Sequence, residues 1–98
     1  MSYFVHLSDA DRAYLDNLPL SGEAKERVED FIDYALANVD DTFRNDPANR
    51  PYPGQPYFER RLLLLDKTGD GLVHTIHFLI NDAGASSGVL LVVYVDHQ

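Results

Sequence analysis

The spacing of apolar residues changes near Tyr57, from a helical period to a strand-like one. Upstream, the longest apolar stripe recurs at three- and four-residue steps, which is the period of an amphipathic helix. Its members are Ala24, Val28, Phe31, Ile32, Ala35, Leu36 and Val39. Downstream, residues 58–65, 72–80 and 89–95 are strand-length runs rich in branched side chains and bounded by turn residues. The pattern predicts an α+β fold in which helices cover one face of a three-stranded antiparallel meander.

The N-terminal third predicts a short strand and two helices. Residues 3–7 form a β-prone run that ends at Ser8, a residue suited to cap a helix with Asp11 three positions later. The first helix should end at Leu18, because Pro19 cannot continue it. Ser21 offers a second N-cap, so the sequence predicts an antiparallel helical hairpin.

Residues 40–57 predict a long proline-rich loop, since four prolines and Gly54 exclude an ordinary helix or a central strand.

Within the predicted sheet, the alternation of side chains predicts that one face of the middle strand meets the helices. That face comprises Leu72, His74, Ile76, Phe78 and Ile80. The last strand is apolar on both faces, with Leu90, Val92 and Tyr94 sharing one of them. It should therefore lie centrally in the sheet or have a covered outer face.

Composition narrows the class of protein. A chain of 98 residues with 45% hydrophobic residues predicts a single domain spanning residues 1–98. The net charge of −8 disfavours nucleic-acid binding, which relies on clustered lysine and arginine. No apolar run approaches the ~20 residues of a membrane span, and the absence of cysteine and of a leader-like N-terminus predicts a cytoplasmic protein.

Two sequence patterns contain residues that can bind a metal ion. The turn Asp66-x-Thr68-x-Asp70-Gly71 is similar to the start of an EF-hand loop, but His77 stands where a bidentate glutamate would close the shell. A structural turn is therefore predicted there. His74 lies three residues from His77, so the two side chains should point to opposite faces of a strand. The sequence predicts neither a metal site nor a cofactor.

The order strand, helix, proline turn, helix, loop and three strands resembles the RelE/ParE superfamily of bacterial toxins. The resemblance covers nearly the whole chain and includes Val5-x-Leu7-Ser8, Leu15-x-x-Leu18-Pro19, Phe58-Glu59-Arg60-Arg61-Leu62 and Tyr94-Val95-Asp96-His97. It implies a compact toxin fold that a separate antitoxin neutralises. RelE-like members cleave mRNA in the ribosome, whereas ParE-like members inhibit DNA gyrase.

By order along the chain, the resemblance implies Arg61 as a phosphate-contacting residue, with His97 and Tyr94 at the C-terminal end. From the residues alone, the adjacent pair Arg60 and Arg61 is expected to form ion pairs with the acidic helices, and a phosphate-contacting role for one of them is the alternative. The sequence departs from the family at His74, where many members have arginine, and at Asp96-His97-Gln98, where a basic run is usual.

Three hypotheses follow. The first is a RelE/ParE-like protein that acts through protein–protein contacts, with an antitoxin or another protein as partner and with reduced or lost nuclease activity. The second is an active, metal-independent mRNA endonuclease that uses Arg61, His97 and Tyr94. The third is a small non-catalytic interaction or regulatory domain, whose apolar last strand forms a homodimer or binds another protein.

Overall fold

The computed structural model of the chain describes residues 3–37 and 49–98. The strands are β1 (Phe4–Leu7), β2 (Asn49–Pro51), β3 (Tyr57–Leu65), β4 (Val73–Asn81) and β5 (Val89–His97). The helices are α1 (Asp9–Asp16) and α2 (Gly22–Asp30); α2 continues as a π-helical segment over Phe31–Leu36, and a short 3-10 turn spans Ala85–Ser87. The predicted α+β class is confirmed.

Both helices begin at the predicted serines. The Ser8 hydroxyl accepts a hydrogen bond from the N–H of Asp11 at 3.1 Å, and the Ser21 hydroxyl accepts one from the N–H of Ala24 at 3.2 Å. α1 ends at Asp16, slightly before the predicted end at Leu18. None of the described helices has the length and apolar content that crossing a membrane requires.

The five strands form one sheet in the order β1-β5-β4-β3-β2. β1 runs parallel to β5, and every other pair is antiparallel. The predicted meander is therefore confirmed as β3, β4 and β5. β5 lies between β1 and β4, which agrees with the prediction that a strand with two apolar faces lies centrally in the sheet. The sheet is larger than predicted because β1 and β2 extend its two edges.

β2 corrects the prediction that residues 40–57 form loop throughout, while residues 40–48 lie outside the described ranges. Pro51 has no N–H to donate, and an edge strand tolerates this because only one of its sides is paired. The prolines exclude a central strand, as expected, without excluding a short edge strand.

The core lies between the helices and one face of the sheet. Val28, Ile32 and Leu36 are buried on the helical side, and Ile76, Phe78 and Ile80 on the sheet side. The ring of Phe31 contacts that of Phe78 with 5.3 Å between centroids, which joins the helical layer to the sheet. Of the five residues predicted to face the helices from the middle strand, Leu72 is the exception: it precedes β4 and is 62% exposed.

An irregularity in β5 changes which side chains face the core. Leu79 pairs with Tyr94 but its neighbour Ile80 pairs with Val92, so Val93 is an extra residue in β5. A bulge of this kind reverses the alternation beyond it. The prediction that Tyr94 shares a face with Val92 is therefore wrong: Tyr94 is exposed and Val95 is buried.

Candidate functional site

The sheet face opposite the helices, called the outer face below, carries two rows of side chains across β3, β4 and β5. Arg61 pairs with His77 and His77 pairs with Asp96, which gives the first row. Glu59 pairs with Leu79, and Leu79 pairs with Tyr94, which gives the second. Residues directly opposite in antiparallel strands share a face and lie close together. The register therefore gathers two carboxylates, a guanidinium, an imidazole and a phenol on one surface.

Glu59 connects the members of these rows. Its Oε1 lies 3.3 Å from His77 Nδ1 and 3.4 Å from Arg61 Nε. Since an ionised carboxylate only accepts hydrogen bonds, Nδ1 of His77 carries the proton and Nε2 of neutral His77 is the basic nitrogen. The side chains of Glu59 and His77 are 23% and 18% exposed, so both reach solvent. This pair can orient an imidazole for proton transfer or hold a cationic group.

A groove of about 180 Å³ opens beside these rows, and we call it the outer groove; its lining includes Tyr52, Glu59, His77, Leu79, Tyr94 and Asp96. Tyr52 reaches it because the chain reverses between β2 and β3. The N–H of Tyr52 donates to the carbonyl of Tyr57 at 2.9 Å, and Gly54 adopts a φ of 72° within the reversal. A left-handed φ of this kind favours glycine. Two tyrosines therefore flank two carboxylates.

Exposed apolar side chains surround the polar centre of the outer face. Leu63 and Val73 are 70% and 63% exposed at one end of β3 and β4, and Phe4 is 67% exposed on β1. A folded domain gains nothing from leaving branched and aromatic side chains in water, so clusters of them commonly mark contact surfaces. The outer face thus combines apolar margins with a polar groove.

The three residues that the family resemblance implied for catalysis do not meet in one place. Arg61 and Tyr94 lie on the outer face, in adjacent rows. His97 pairs with Ile76, a fully buried residue, and its ring contacts that of buried His74 on the helix side of the sheet. Tyr94 and His97 stand three positions apart in β5, beyond the bulge, and therefore lie on opposite faces of the sheet. The set Arg61, His97 and Tyr94 thus cannot act on one substrate atom.

His97 belongs instead to a chain of hydrogen bonds at the turn between β3 and β4. His97 Nε2 lies 2.9 Å from His74 Nδ1, and His74 Nε2 lies 2.9 and 3.0 Å from the two carboxylate oxygens of Asp70. The N–H of Leu72 donates to Asp70, and this bond together with the one to His74 lowers the pKa of the Asp70 carboxyl. Asp70 therefore stays ionised and fixes the proton of His74 on Nε2.

Asp66, at the start of the same turn, is buried and bonded to the beginning of α2. Its carboxylate accepts hydrogen bonds from the Ser21 hydroxyl at 2.5 Å, the Ser21 N–H at 2.9 Å and the Gly69 N–H at 3.1 Å. The bonds from Ser21 lower the pKa of the Asp66 carboxyl, against the opposing effects of burial and of the charge on Asp70. The turn is thereby attached to the helical layer.

Sequence reasoning missed three residues of the outer face: Glu59, His77 and Asp96. The period of two along β4 correctly predicted that His77 lies on the face away from the helices, whereas His74 lies on the other face, but it gave His77 no functional role. The sequence does not reveal the pairing register between the strands, and this register brings Glu59 and Asp96 close to His77.

No protein-family model, curated protein or solved structure matches the chain.

Proposed function

We propose that this chain is a RelE/ParE-like protein that acts by binding another protein on the outer face of its sheet. The observation that carries the proposal is the outer groove, flanked by Tyr52 and Tyr94 and bordered by exposed apolar side chains. Tyrosines are enriched among the residues that dominate binding energy at protein interfaces. The family part of the proposal is supported by the sequence motifs and by the order of the helices and the meander.

The partner presents a basic segment. Glu59 and Asp96 place two carboxylates in the outer groove, and the net charge of −8 attracts a cationic partner as it repels a phosphate backbone. A lysine or arginine side chain in the groove would meet both carboxylates and the rings of Tyr52 and Tyr94, which favour cations over their faces. An antitoxin for this chain would therefore carry basic residues where it contacts the sheet.

Site-specific photo-crosslinking tests this proposal. A benzophenone amino acid replaces Tyr94, which is 57% exposed in the outer groove, and the chain is expressed in bacteria together with the protein encoded next to its gene. The expected result is one crosslinked product with that protein, lost when Glu59→Lys and Asp96→Lys reverse the charge of the groove.

The matched control places the same amino acid at Tyr14, an exposed tyrosine of α1 on the helical layer. Crosslinking that is equal from Tyr14 and Tyr94, or that persists after the charge reversal, contradicts a binding site in the outer groove.

A second candidate, RNA cleavage, is favoured by the contact between Glu59 and His77. Nε2 of His77 is placed to accept a proton, and Arg61 in the same row offers a guanidinium suited to phosphate. These residues form a more complete acid–base set than the one implied by the resemblance. The acidic charge of the chain weighs against this candidate, because the carboxylates of the groove repel RNA.

Expression in bacteria separates the two candidates. An endonuclease causes growth arrest with transcript cleavage that is lost in His77→Ala and in Arg61→Ala but kept in His97→Ala, since His97 lies on the other face. Expression without growth arrest, or transcript cleavage that requires His97 and not His77, would exclude a nuclease site on the outer face.

A further inference from the structure

The turn between β3 and β4 gathers three side chains that can ligate a metal ion. Asp66, Asp70 and His74 each offer one ligand atom, and these atoms lie within 4.8 Å of one another. Asp66 directly follows β3, Asp70 lies within the turn, and His74 is in β4. Gly71, with a φ of 73°, adopts the left-handed conformation that the turn requires. The reversal of the chain therefore converges two carboxylates and an imidazole.

Each of the three side chains also forms a hydrogen bond with a group outside the set of ligands. Ser21 and Gly69 donate to the carboxylate of Asp66, the N–H of Leu72 donates to Asp70, and His97 contacts the far nitrogen of His74. Metal ligands in proteins are typically oriented in this way, with the second imidazole nitrogen bonded to a neighbouring acceptor. Such contacts fix the direction in which the ligand atoms point.

The charges at the turn favour a cation. Within the described ranges, neither Asp66 nor Asp70 forms a salt bridge with a lysine or arginine. The ligand oxygens of Asp66 and Asp70 lie within 4.8 Å of each other, so the two carboxylates repel each other. A divalent ion would neutralise both.

We propose that Asp66, Asp70 and His74 bind a divalent transition-metal ion of the Mn²⁺ or Zn²⁺ class. Carboxylates suit Mn²⁺, imidazole suits Zn²⁺, and a mixed set of this kind disfavours Ca²⁺, which takes six to eight oxygen ligands. Nε2 of His74 exchanges its bond to Asp70 for the metal, and Nδ1–H then donates to His97. The side chain of Asp70 is 39% exposed, so water completes the coordination.

Isothermal titration of the chelator-treated chain with Mn²⁺, Zn²⁺ and Ca²⁺ tests the proposal. The expected result is one equivalent of Mn²⁺ or Zn²⁺ per chain and weaker or no binding of Ca²⁺. Binding to the folded state should also raise the Tm, by about 10 °C or more when the metal exceeds its Kd roughly 100-fold.

Three variants test the ligand set, one at a proposed ligand and two at histidines outside it. Asp70→Asn keeps an acceptor for the N–H of Leu72 and should abolish stoichiometric binding, whereas His77→Gln, on the opposite face of β4, should leave it unchanged. His97→Gln should weaken binding by about 10- to 100-fold, because His97 only orients His74. Circular dichroism of the metal-free chains confirms that each variant is folded before titration.

Two results overturn the proposal. One is the absence of stoichiometric binding by the unmodified chain. The other is binding that survives Asp70→Asn but vanishes in His97→Gln, since this identifies His74 and His97 as the ligands and excludes the carboxylate set.

Discussion

The bond between Ser21 and Asp66 predicts that two helix-capping serines contribute unequally to stability. Ser8→Ala removes one neutral hydrogen bond, to the N–H of Asp11, and this should cost about 1 kcal/mol. Ser21→Ala removes the equivalent bond to the N–H of Ala24 and also the hydroxyl's bond to the Asp66 carboxylate. A charge-assisted bond is roughly twice as strong as a neutral one, so Ser21→Ala should cost about three times as much as Ser8→Ala.

Urea unfolding at neutral pH measures this difference. Thermal unfolding gives a second measurement: for a domain of this size, Ser8→Ala should lower the Tm by about 4–8 °C and Ser21→Ala by about three times that amount. The two serines occupy the same position in their helices, so the comparison isolates the bond to Asp66.

The dependence on pH supplies an independent readout. The folded-state pKa of Asp66 lies below its ordinary value of 3.8, chiefly because Ser21 donates to the carboxylate. A carboxyl with a depressed pKa contributes stability that is present above pH 3.8 and lost as the pH falls through the folded-state pKa. The excess cost of Ser21→Ala should therefore shrink below about pH 4. Equal costs for the two serines, or an excess that acid leaves unchanged, would refute the reasoning.

Two further substitutions test the core and the turn. Phe78→Ala empties a fully buried site against Phe31 and should cost about 3–5 kcal/mol in urea unfolding, whereas Leu63→Ala on the exposed outer face should stay within about 0.5 kcal/mol. Gly69→Ala places a Cβ 2.2 Å from the Asp66 carboxylate and should lower the Tm, while Gly22→Ala, with nothing within 4 Å, should leave it unchanged or raise it. A Tm for Gly69→Ala equal to that of the unmodified chain would contradict the tight contact with Asp66.

The starts of the two helices were the features of the fold that the sequence predicted best. Ser8 and Ser21 cap helices because their hydroxyls satisfy backbone N–H groups a few residues away, and such local bonds leave a signature in the sequence. The period of two likewise identified the inner face of β4 from Ile76 to Ile80. Both inferences concern groups close in the chain, so they do not depend on how distant segments meet.

The outer face was predictable only in part. Arg61 and Tyr94 were singled out by the family resemblance, and the structure places both on this surface. His97 was grouped with them, but the bulge at Val93 moves it to the helix side, beside His74. Nothing in an apolar run such as Val89–His97 marks where an extra residue is inserted, because any of its branched residues fits a strand.

By itself, the sequence determined which segments are helix and which are strand, apart from the short edge strand β2, because apolar periodicity and turn residues act locally. Tertiary structure decided the rest: β1 joins β5 at one edge, Glu59 meets His77 through the pairing register, and Asp66 bonds to Ser21 although 45 positions separate them. Those contacts depend on how whole elements pack together, and the spacing of residues along one chain does not encode that geometry locally.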